Sequence, residues 1–419
     1  MRTARMPRIA VSQLMDQGEA ELLTGPFGTQ LKASDYTERG TPVINVRNIG
    51  FGVMKEEKIE FISPATRDRL SSHLLRPGDI VFGRKGAVER HVFIREKQDG
   101  WFQGSDCLRL RFTSPRVEPL FVSYYFLTTE HQKWMMNQCS HGATMASLNQ
   151  EILRRIELPL PSIPTQRRIA GILSAYDDLI ENSQRRIKIL EEMARSLYRE
   201  WFVHFRYPGY ESIPLVASSL GPVPKGWEVK PIDALASFIN RGLSPSYDEE
   251  GESQVINQKC IRDQRLNLEP SRRQRKPIPQ NKLLQFGDVL INSTGVGTLG
   301  RVAQVYERLH QCTVDSHVTI VRPSSLTDLD FFGCSLLAKQ ETFEHLGVGA
   351  TGQTELGRGV IGQVELVAPP SYIQNRFGIL VRPIRVVART LAAQSDNLRR
   401  TRDLLLPRLL SGQISVEAT

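Results

Sequence analysis

The residues best suited to chemistry are basic ones, concentrated in one run in the second half of the chain. Residues 259–276 hold seven Lys and Arg side chains against two carboxylates, and they overlap an extended segment, QVINQKCI, at 254–261. A dense positive run beside a strand is typical of a loop that contacts nucleic-acid phosphates. The predicted DNA-binding residues here are Gln258, Lys259, Arg262, Arg265, Arg272, Arg273, Arg275 and Lys276. The alternative interpretation is a solvated, disordered loop.

The first half carries a thinner set of candidates around its own extended segments. They are Lys32, Asn45, Arg47, Arg84, Lys85 and Arg90. Arginine contacts phosphate or bonds guanine through two N–H groups, whereas Asn and Gln pair with adenine. The residue types predict DNA contacts without assigning individual bases.

One glycine motif points to a different class of function. The sequence GVGTLG, from Gly295 to Gly300, has the GxGxxG spacing of a dinucleotide site, which requires a helix to follow directly. The next residues, RVAQVY at 301–306, have the pattern of a strand. We therefore favour a tight strand–turn–strand corner, and a nucleotide-binding enzyme that uses Gly295–Gly300 is the alternative.

No other segment matches a catalytic or metal motif. The sequence lacks a P-loop, HExxH and GxSxG, and His310 and His317 share no flanking ligand pattern. The five cysteines are widely spaced and never form CxxC, which indicates reduced thiols. We expect no catalysis, no metal and no cofactor in this chain.

Composition indicates a globular protein with an anionic partner. Of 419 residues, 40% are hydrophobic, and 54 Lys and Arg outnumber 45 Asp and Glu to give a formal net charge of +9. That excess favours nucleic acid first and an acidic membrane surface second. Because we find no signal-peptide pattern and no run of about 20 apolar residues, we expect a cytoplasmic protein.

The chain repeats itself at about half its length. Four matches occur in the same order at offsets between 207 and 212. They are 42–49 with 254–261, 75–81 with 284–290, 141–144 with 348–351, and Glu157, Leu158 and Gln166 with Glu365, Leu366 and Gln374. A period this long indicates a duplicated domain.

Within each copy, β-rich runs at 80–82, 108–112, 289–291 and 317–321 predict strands.

A long helical pattern follows a proline-rich joint in each copy. The first apolar series is Ile169, Ile172, Tyr176, Leu179, Leu190, Ala194, Leu197 and Trp201, and the second is Ile373, Phe377, Leu380, Ile384, Val387, Leu391, Leu398, Leu405 and Leu409. Steps of three and four predict an antiparallel coiled coil of the two helices. Ordinary amphipathic helices packed on globular domains are the alternative. Pro383 is expected to kink or interrupt the second helix.

These features predict an α+β fold with a pseudo-two-fold internal repeat. The predicted segments are a mixed α/β domain at 1–160, a helix at 161–205, a linker at 206–230, a second mixed α/β domain at 231–368, a helix at 369–412 and a tail at 413–419. Trp201, Phe202 and Phe205 at the end of the first helix are candidates for docking a partner. Packing in a core or hinge explains the same residues equally well.

Several stretches together are similar to a known family. They are GPFGTQLK at 25–32, LRPGDIV at 75–81, LPLPSIPTQRRIAGI at 158–172, SLYREWFVHF at 196–205 and LLPRLLSG at 405–412. The chain resembles the specificity subunit of a type I restriction–modification system over essentially its whole length. It departs from the family pattern where the second joint lacks the full Pro-Leu-Pro sequence and where Pro383 enters the second helix.

The resemblance implies two target-recognition domains, 1–160 and 231–368, that each bind half of an asymmetric, two-part DNA sequence. It implies that the paired helices set the gap between the halves. The expected partners are double-stranded DNA, two methyltransferase subunits and two restriction subunits, with S-adenosylmethionine and ATP bound by those subunits. A specificity subunit of a methylation-only system and a protein-only scaffold are the alternatives.

Overall fold

A computed structural model describes residues 6–139, 146–347 and 355–416 of the chain. It divides into two compact units: unit 1 combines Met1–Asn182 with Ser395–Thr419, and unit 2 is Ser183–Gln394. The division passes through both long helices, so each unit holds one mixed domain and a part of each helix. The matching segments at 141–144 and 348–351 lie outside the described residues.

Unit 1 begins with short strands and helices and ends in a long helix. Its strands are β1 (Arg8–Ala10), β2 (Ala20–Thr24), β3 (Tyr36–Thr37), β4 (Thr41–Ile44), β5 (Phe51–Gly52), β6 (Glu60–Ile62), β7 (Ile80–Gly83), β8 (His91–Phe93), β9 (Phe102–Gln103), β10 (Cys107–Phe112) and β11 (Glu157–Pro159). Its helices are α1 (Val11–Asp16), α2 (Pro64–Arg69), α3 (Pro119–Phe126), α4 (Thr129–Cys139), α5 (Gln150–Arg154) and the first part of α6 (Ile163–Tyr198).

Unit 2 repeats this order with differences in its loops. Its strands are β12 (Leu215–Val216), β13 (Val223–Pro224), β14 (Glu228–Pro231), β15 (Ala236–Arg241), β16 (Ser253–Ile256), β17 (Ile261–Arg262), β18 (Arg265–Leu266), β19 (Arg272–Gln274), β20 (Val289–Asn292), β21 (Val302–Gln304), β22 (Cys312–Val314), β23 (Val318–Pro323) and β24 (Glu365–Ala368). Its helices are α7 (Ile232–Leu235), α8 (Leu329–Ala338), α9 (Gln340–His345), α10 (Arg358–Gly362) and the first part of α11 (Ser371–Leu410).

The two units share the central strands of their sheets, although each of the two sheets has one strand fewer in unit 2. In unit 1 the main sheet has the order β2-β10-β7-β8-β5, and a second sheet has the order β3-β6-β4-β9. In unit 2 the corresponding sheets are β15-β23-β20-β21 and β19-β16-β22. Strand β4 pairs in parallel with β9, as β16 does with β22. The predicted strands at 80–82, 108–112, 289–291 and 317–321 are confirmed, and the fold is α+β.

Alternating side chains explain how the main sheet forms. In β10, Leu108 and Leu110 enter the hydrophobic core of unit 1, while the intervening Arg109 and Arg111 lie on the other face. Arg111 donates Nε and Nη2 to the two carboxylate oxygens of the buried Asp79, at 2.6 and 2.7 Å. Unit 2 repeats the pair with Arg322 and Asp288, at 2.7 and 2.8 Å. The matching segments 75–81 and 284–290 therefore encode a buried ion pair.

A buried glutamine joins each mixed domain to its long helix. The Oε1 atom of Gln166 accepts the backbone N–H of Glu118, the residue before α3, and its Nε2 donates to the Pro161 carbonyl. Gln374 makes the same two bonds, to Asp328 before α8 and to Pro369. Because each side chain supplies a partner to an otherwise unpaired helix N–H, the repeated glutamine has a structural role in both copies.

The long helices pack against each other within each unit. In unit 1, Leu173 of α6 shares a core with Leu406 of α11, and Arg402 pairs with Asp177. In unit 2, the end of α6 shares a core with the start of α11. The predicted seam is wrong at Leu179 of α6, which is exposed, and on α11 it is wrong at Leu380 and Val387, which are also exposed. The apolar pattern misassigned the two positions on α11 because buried Gln374 and Ser395, polar residues that a hydrophobic pattern omits, lie on the packed face instead.

Pro383 does not interrupt α11, contrary to the sequence expectation. The helix runs without a break from Ser371 to Leu410. Proline removes the hydrogen bond to the carbonyl of Ile379, and both residues lie on an exposed part of the helix. Water can bond that carbonyl, which lowers the cost of the proline.

No helix in the described part of the chain is long and apolar enough to cross a membrane.

The predicted linker at 206–230 is ordered as part of unit 2. It contains the β12–β13 pair and β14, which pairs with β24. Tyr207 and Trp227 are buried in the same core as Phe202. Aromatic burial holds this Pro- and Gly-rich segment against the unit, which its composition did not indicate.

Unit 1 contains buried histidines, and we expect two of them, His91 and His131, to make it sensitive to acid. His91 bonds Ser123 at 2.8 Å, and His131 lies 4.6 Å from the Phe126 ring. Burial lowers the pKa of each from 6.5 to about 3, so both are neutral in the fold. Since the unfolded chain binds these protons below pH 6.5, each histidine removes about 1.4 kcal/mol of stability per pH unit as pH falls from 6.5 toward 3.

Hydrogen exchange measured by mass spectrometry from pH 7.5 to 5 checks this expectation, with rates corrected for the intrinsic effect of pH. Protection should fall in unit 1 peptides. His131→Phe, which keeps an aromatic ring, should reduce the dependence on pH, whereas His310→Phe at an exposed site of unit 2 should not. Equal loss of protection in the wild type and in His131→Phe would contradict the prediction.

Candidate nucleic-acid interface

Three segments of unit 2 converge at one edge of its sheets. Strands β16 and β22 are parallel, so both end at the same edge, and β20 ends beside the start of its antiparallel partner β23. The Nδ2 atom of Asn292, at the end of β20, donates to the carbonyls of Gln258 and Thr298, each at 3.1 Å. The backbone N–H of Ser293 donates to the His317 carbonyl at 2.8 Å. The turn after β16, the segment after β20 and the connection from β22 to β23 therefore form one surface.

A chain of side-chain hydrogen bonds crosses this surface. Gln258 Nε2 donates to both the carbonyl and the Oγ1 of Thr294, each at 2.6 Å. Thr294 Oγ1 lies 2.8 Å from Nδ1 of the exposed His317. Asp315 Oδ1 accepts the His317 backbone N–H at 2.9 Å, although burial raises the pKa of that carboxyl. Residues from three separate elements thus hold one exposed imidazole.

An arginine–aromatic pair lies on the strand next to this surface. Strand β19 runs antiparallel to β16, with Arg272 opposite Val255 near the end of β16. The Arg272 guanidinium stacks 3.7 Å above the centroid of the Tyr247 ring, which is 36% exposed. Such stacking orients an arginine while leaving its N–H groups available to an anion.

Most of the other predicted cations of unit 2 have acidic or carbonyl partners. Arg265 donates to both carboxylate oxygens of Glu191 on α6, at 2.6 and 2.5 Å, and so ties the domain to the helix. The rest are exposed: Arg275 beside Asp248 and Glu250, Arg262 at 3.7 Å from Asp263, Arg273 on the Gly251 carbonyl, and Lys259 and Lys276. Exposed ion pairs of this kind are weak and can exchange a carboxylate for a phosphate.

The corresponding edge of unit 1 carries cations instead of a histidine. Glu60 Oε2 accepts hydrogen bonds from Asn45 Nδ2 and contacts Arg47 Nη2, both at 2.6 Å. Asn48, buried in the turn after β4, holds the loop by donating to the carbonyls of Lys55 and Glu57. The turn that presents Asn45 and Arg47 is therefore built from side chains of its own loop.

The remaining candidates of unit 1 follow β7 and the loop after β2. Arg84 is partly buried, with its backbone N–H on the Asp106 carbonyl, and exposed Lys85 lies 3.7 Å from the Asp106 carboxylate. Arg90 lies over the ring of Phe51, and Lys32 is exposed at the start of a short 3-10 turn. Arg84, Lys85 and Arg90 thus share the loop from β7 to β8, whereas Lys32 lies on the loop after β2.

A glycine at the same point of each unit permits the loop after the first sheet strand. A Cβ on Gly25 would lie 1.9 Å from the Gly104 carbonyl oxygen, and one on Gly242 would lie 1.9 Å from that of Val314. Only glycine allows so close an approach of two backbones. Gly25 opens the 25–32 stretch that carried the family resemblance.

The glycine motif at 295–300 does not open a helix. It leads into strand β21, which is antiparallel to β20, as the strand–turn–strand interpretation predicted. Gly295 and Gly300 have φ values of +104° and +79°, and a Cβ on Gly300 would lie 2.4 Å from the Glu344 backbone nitrogen. Turn geometry and packing thus account for these glycines, and the helix that a dinucleotide site needs does not follow them.

Comparisons with known proteins agree with this architecture. Residues 28–192 match the type I restriction modification DNA specificity domain. The chain is 27% identical to the type I restriction enzyme MjaIX specificity subunit of Methanocaldococcus jannaschii over 303 residues, 70% of this chain and 69% of that protein. It is 22% identical over 387 residues to the putative MjaX specificity subunit of the same organism, covering 90% and 88%. The chain is thus similar to type I restriction–modification specificity subunits over most of its length. The crystal structure of an S subunit from M. genitalium has the same fold, with a TM-score of 0.62 at 15% identity and coverage of 98% and 97%.

The aromatic candidates for docking lie inside unit 2. Trp201 and Phe202 are buried in one core with Phe377 and Trp227, and Phe205 packs edge-on against Trp227. This matches the core-packing alternative, and a docking role for the three residues stays a prediction. The exposed apolar side chains of the helices are different residues, among them Ile189, Met193, Tyr372, Ile379 and Val386.

Three residues at this edge of unit 2 were not among the sequence candidates: Thr294, His317 and Tyr247. Thr294 and His317 lie at least 22 residues from Gln258 and Arg272, and no motif spacing connects them or Tyr247 to these two residues. Threonine and histidine also occur commonly as structural residues. Only the pairing of the strands brings these side chains together.

Proposed function

We propose that each unit of this specificity subunit binds one half of an asymmetric, two-part DNA sequence. One observation carries the proposal. The two units repeat the same buried ion pair, but they carry different side chains at the corresponding edges of their sheets. The Asp79–Arg111 and Asp288–Arg322 pairs repeat, while corresponding edges carry Arg84 and Lys85 in unit 1 and Thr294 in unit 2. A duplicated chain can thus present two nearly equivalent surfaces that recognise different sequences.

We further propose that α6 and α11 pair as an antiparallel coiled coil that sets the spacing between the half-sites. On α11, three exposed apolar side chains recur at steps of seven, namely Tyr372, Ile379 and Val386. This spacing fits the docking of a partner helix. The proposed partners are two methyltransferase subunits that bind S-adenosylmethionine and two restriction subunits that use ATP. This chain contributes recognition and assembly without catalysis of its own, in the cytoplasm. A methylation-only complex would use the same surfaces without the restriction subunits.

DNA binding by the complex of this chain with its methyltransferase subunit tests the proposal. A fluorescent duplex that carries the methylated motif should bind with an affinity that falls steeply as salt rises, since phosphate contacts release counterions. Arg272→Glu should weaken binding to all duplexes by about tenfold and reduce the slope of log affinity against log salt by about one.

Arg308→Glu is the matched control for this experiment. Arg308 is an exposed arginine in the loop from β21 to β22, and that loop leaves the opposite end of the sheet. The Arg308→Glu variant should leave the DNA affinity and the slope of log affinity against log salt unchanged. Binding that is independent of salt, or unaffected by Arg272→Glu, would favour the protein-only scaffold.

A further inference from the structure

The orientation of the Gln258 amide follows from its partners. A backbone carbonyl only accepts hydrogen bonds, so the Gln258 atom 2.6 Å from the Thr294 carbonyl is the NH₂ nitrogen. The same nitrogen lies 2.6 Å from Thr294 Oγ1 and supplies its second hydrogen there. The Thr294 hydroxyl therefore has its own hydrogen available for another acceptor.

That hydrogen is placed to select one tautomer of His317. Thr294 Oγ1 lies 2.8 Å from His317 Nδ1, and we assign the hydroxyl as the donor of this contact, so that Nδ1 accepts in the neutral ring and Nε2 carries the hydrogen. In the charged ring both nitrogens are donors. In either state, His317 presents an N–H donor at Nε2.

The backbone around His317 is held on both sides. Its carbonyl accepts the Ser293 N–H at 2.8 Å, and its own N–H donates to Asp315 at 2.9 Å. The side chain itself is exposed. A donor that is oriented by three residues and directed to the surface is pre-organised for a ligand acceptor outside the unit.

We propose that His317 is a specificity-determining residue that donates from Nε2 to a base edge in the half-site bound by unit 2. Gln258 and Thr294 are its positioning residues, and the stacked Arg272 bonds a neighbouring phosphate. In the major groove, guanine, adenine N7 and thymine O4 offer acceptors, whereas cytosine offers the N4 amino donor. His317 therefore selects against cytosine at one position. The inference rests on the DNA recognition proposed above.

The test compares variants of the full chain, each expressed with its methyltransferase subunit in a host without other adenine methylation. Methylome sequencing gives the motif, and duplexes substituted at each motif position give relative affinities. His317→Ala should lower the preference for the native base over cytosine at one position of one half-site by roughly tenfold. The other half-site and the salt dependence should stay unchanged.

Matched variants distinguish a role of Thr294 in orienting His317 from a role in folding. Thr294→Val removes the hydroxyl and should lose part of the same preference, and Thr294→Ser should restore it. His310→Ala, at an exposed histidine in the loop from β21 to β22, should leave the motif unchanged. Arg272→Ala should weaken all duplexes equally without changing the motif.

The outcomes distinguish the two proposals. A wild-type complex that methylates no two-part sequence overturns the proposed function. If the wild-type complex methylates such a sequence and His317→Ala keeps every base preference, the assignment of His317 is wrong and the proposed function stands. A preference lost in both half-sites, or lost only together with the thermal stability of the chain, also overturns the assignment.

Discussion

Exchange of residues 1–160 for the corresponding segment of another specificity subunit is expected to change one half of the methylated DNA sequence completely. The other half and the spacing should be retained, because β15 to β24 and the helix segments of unit 2 stay native. Gln166 should tolerate the exchange, since it bonds the backbone of the exchanged domain at Glu118 and Arg116. Methylome sequencing of cells that carry the hybrid with the methyltransferase subunit measures the result.

The reciprocal exchange of residues 231–368 is the control for this prediction. It should change only the half that the first hybrid retained, and a chain with both exchanges should methylate the donor's two half-sites at the original spacing. If a single exchange altered both halves, the two units would not recognise DNA independently, and the proposed division of labour would be wrong.

Breaking the buried ion pair of unit 2 is expected to cause the largest loss of stability. Asp288 is fully buried, and Arg322 bonds both of its oxygens and the Leu283 carbonyl. Arg322→Met leaves a buried carboxylate without its partner, which should cost about 3–5 kcal/mol. Chemical denaturation followed by circular dichroism gives the free energy, and hydrogen exchange assigns the loss to unit 2.

Two further variants test whether the loss of stability in Arg322→Met comes from the unpaired buried carboxylate. The double variant Asp288→Leu with Arg322→Met removes both charges and should recover much of the loss, because a packed apolar pair can replace an ion pair. Arg399→Met breaks an exposed pair with Asp396 one turn apart on α11 and should cost less than about 0.5 kcal/mol. A loss of the same size in Arg399→Met and Arg322→Met would show that burial is not the reason.

The structure explains why some matches between the two halves of the sequence were informative. Asp79 and Asp288 lie in the matched segments 75–81 and 284–290, and Gln166 and Gln374 follow the two joints. Each acts within its own copy through a nearby backbone group or a neighbouring strand. Residues with such tasks recur at the same offset, so a comparison of the chain with itself finds them before their partners are known.

Packing of the long helices explains why two expectations about α11 were wrong. Hydrophobic type alone assigned Leu380 and Val387 to the packed face of α11, although buried Gln374 and Ser395 lie there. Pro383 was expected to kink or interrupt the helix, yet the helix is uninterrupted, since the hydrogen bond that the proline removes lies where water can replace it. These outcomes depend on which face of a helix is covered, and that depends on packing rather than local propensity.

The sequence by itself determined the duplication, the α+β class, the positions of the main strands and long helices, and the resemblance to specificity subunits. These properties arise from short-range periodicity and from repeated segments, which a linear chain records directly. Tertiary structure alone decided that Arg265 binds α6, that Trp201 lies in a core, and that Gln258, Thr294 and His317 meet at one edge. Those contacts join residues far apart in the chain, and their geometry exists only after the strands have paired.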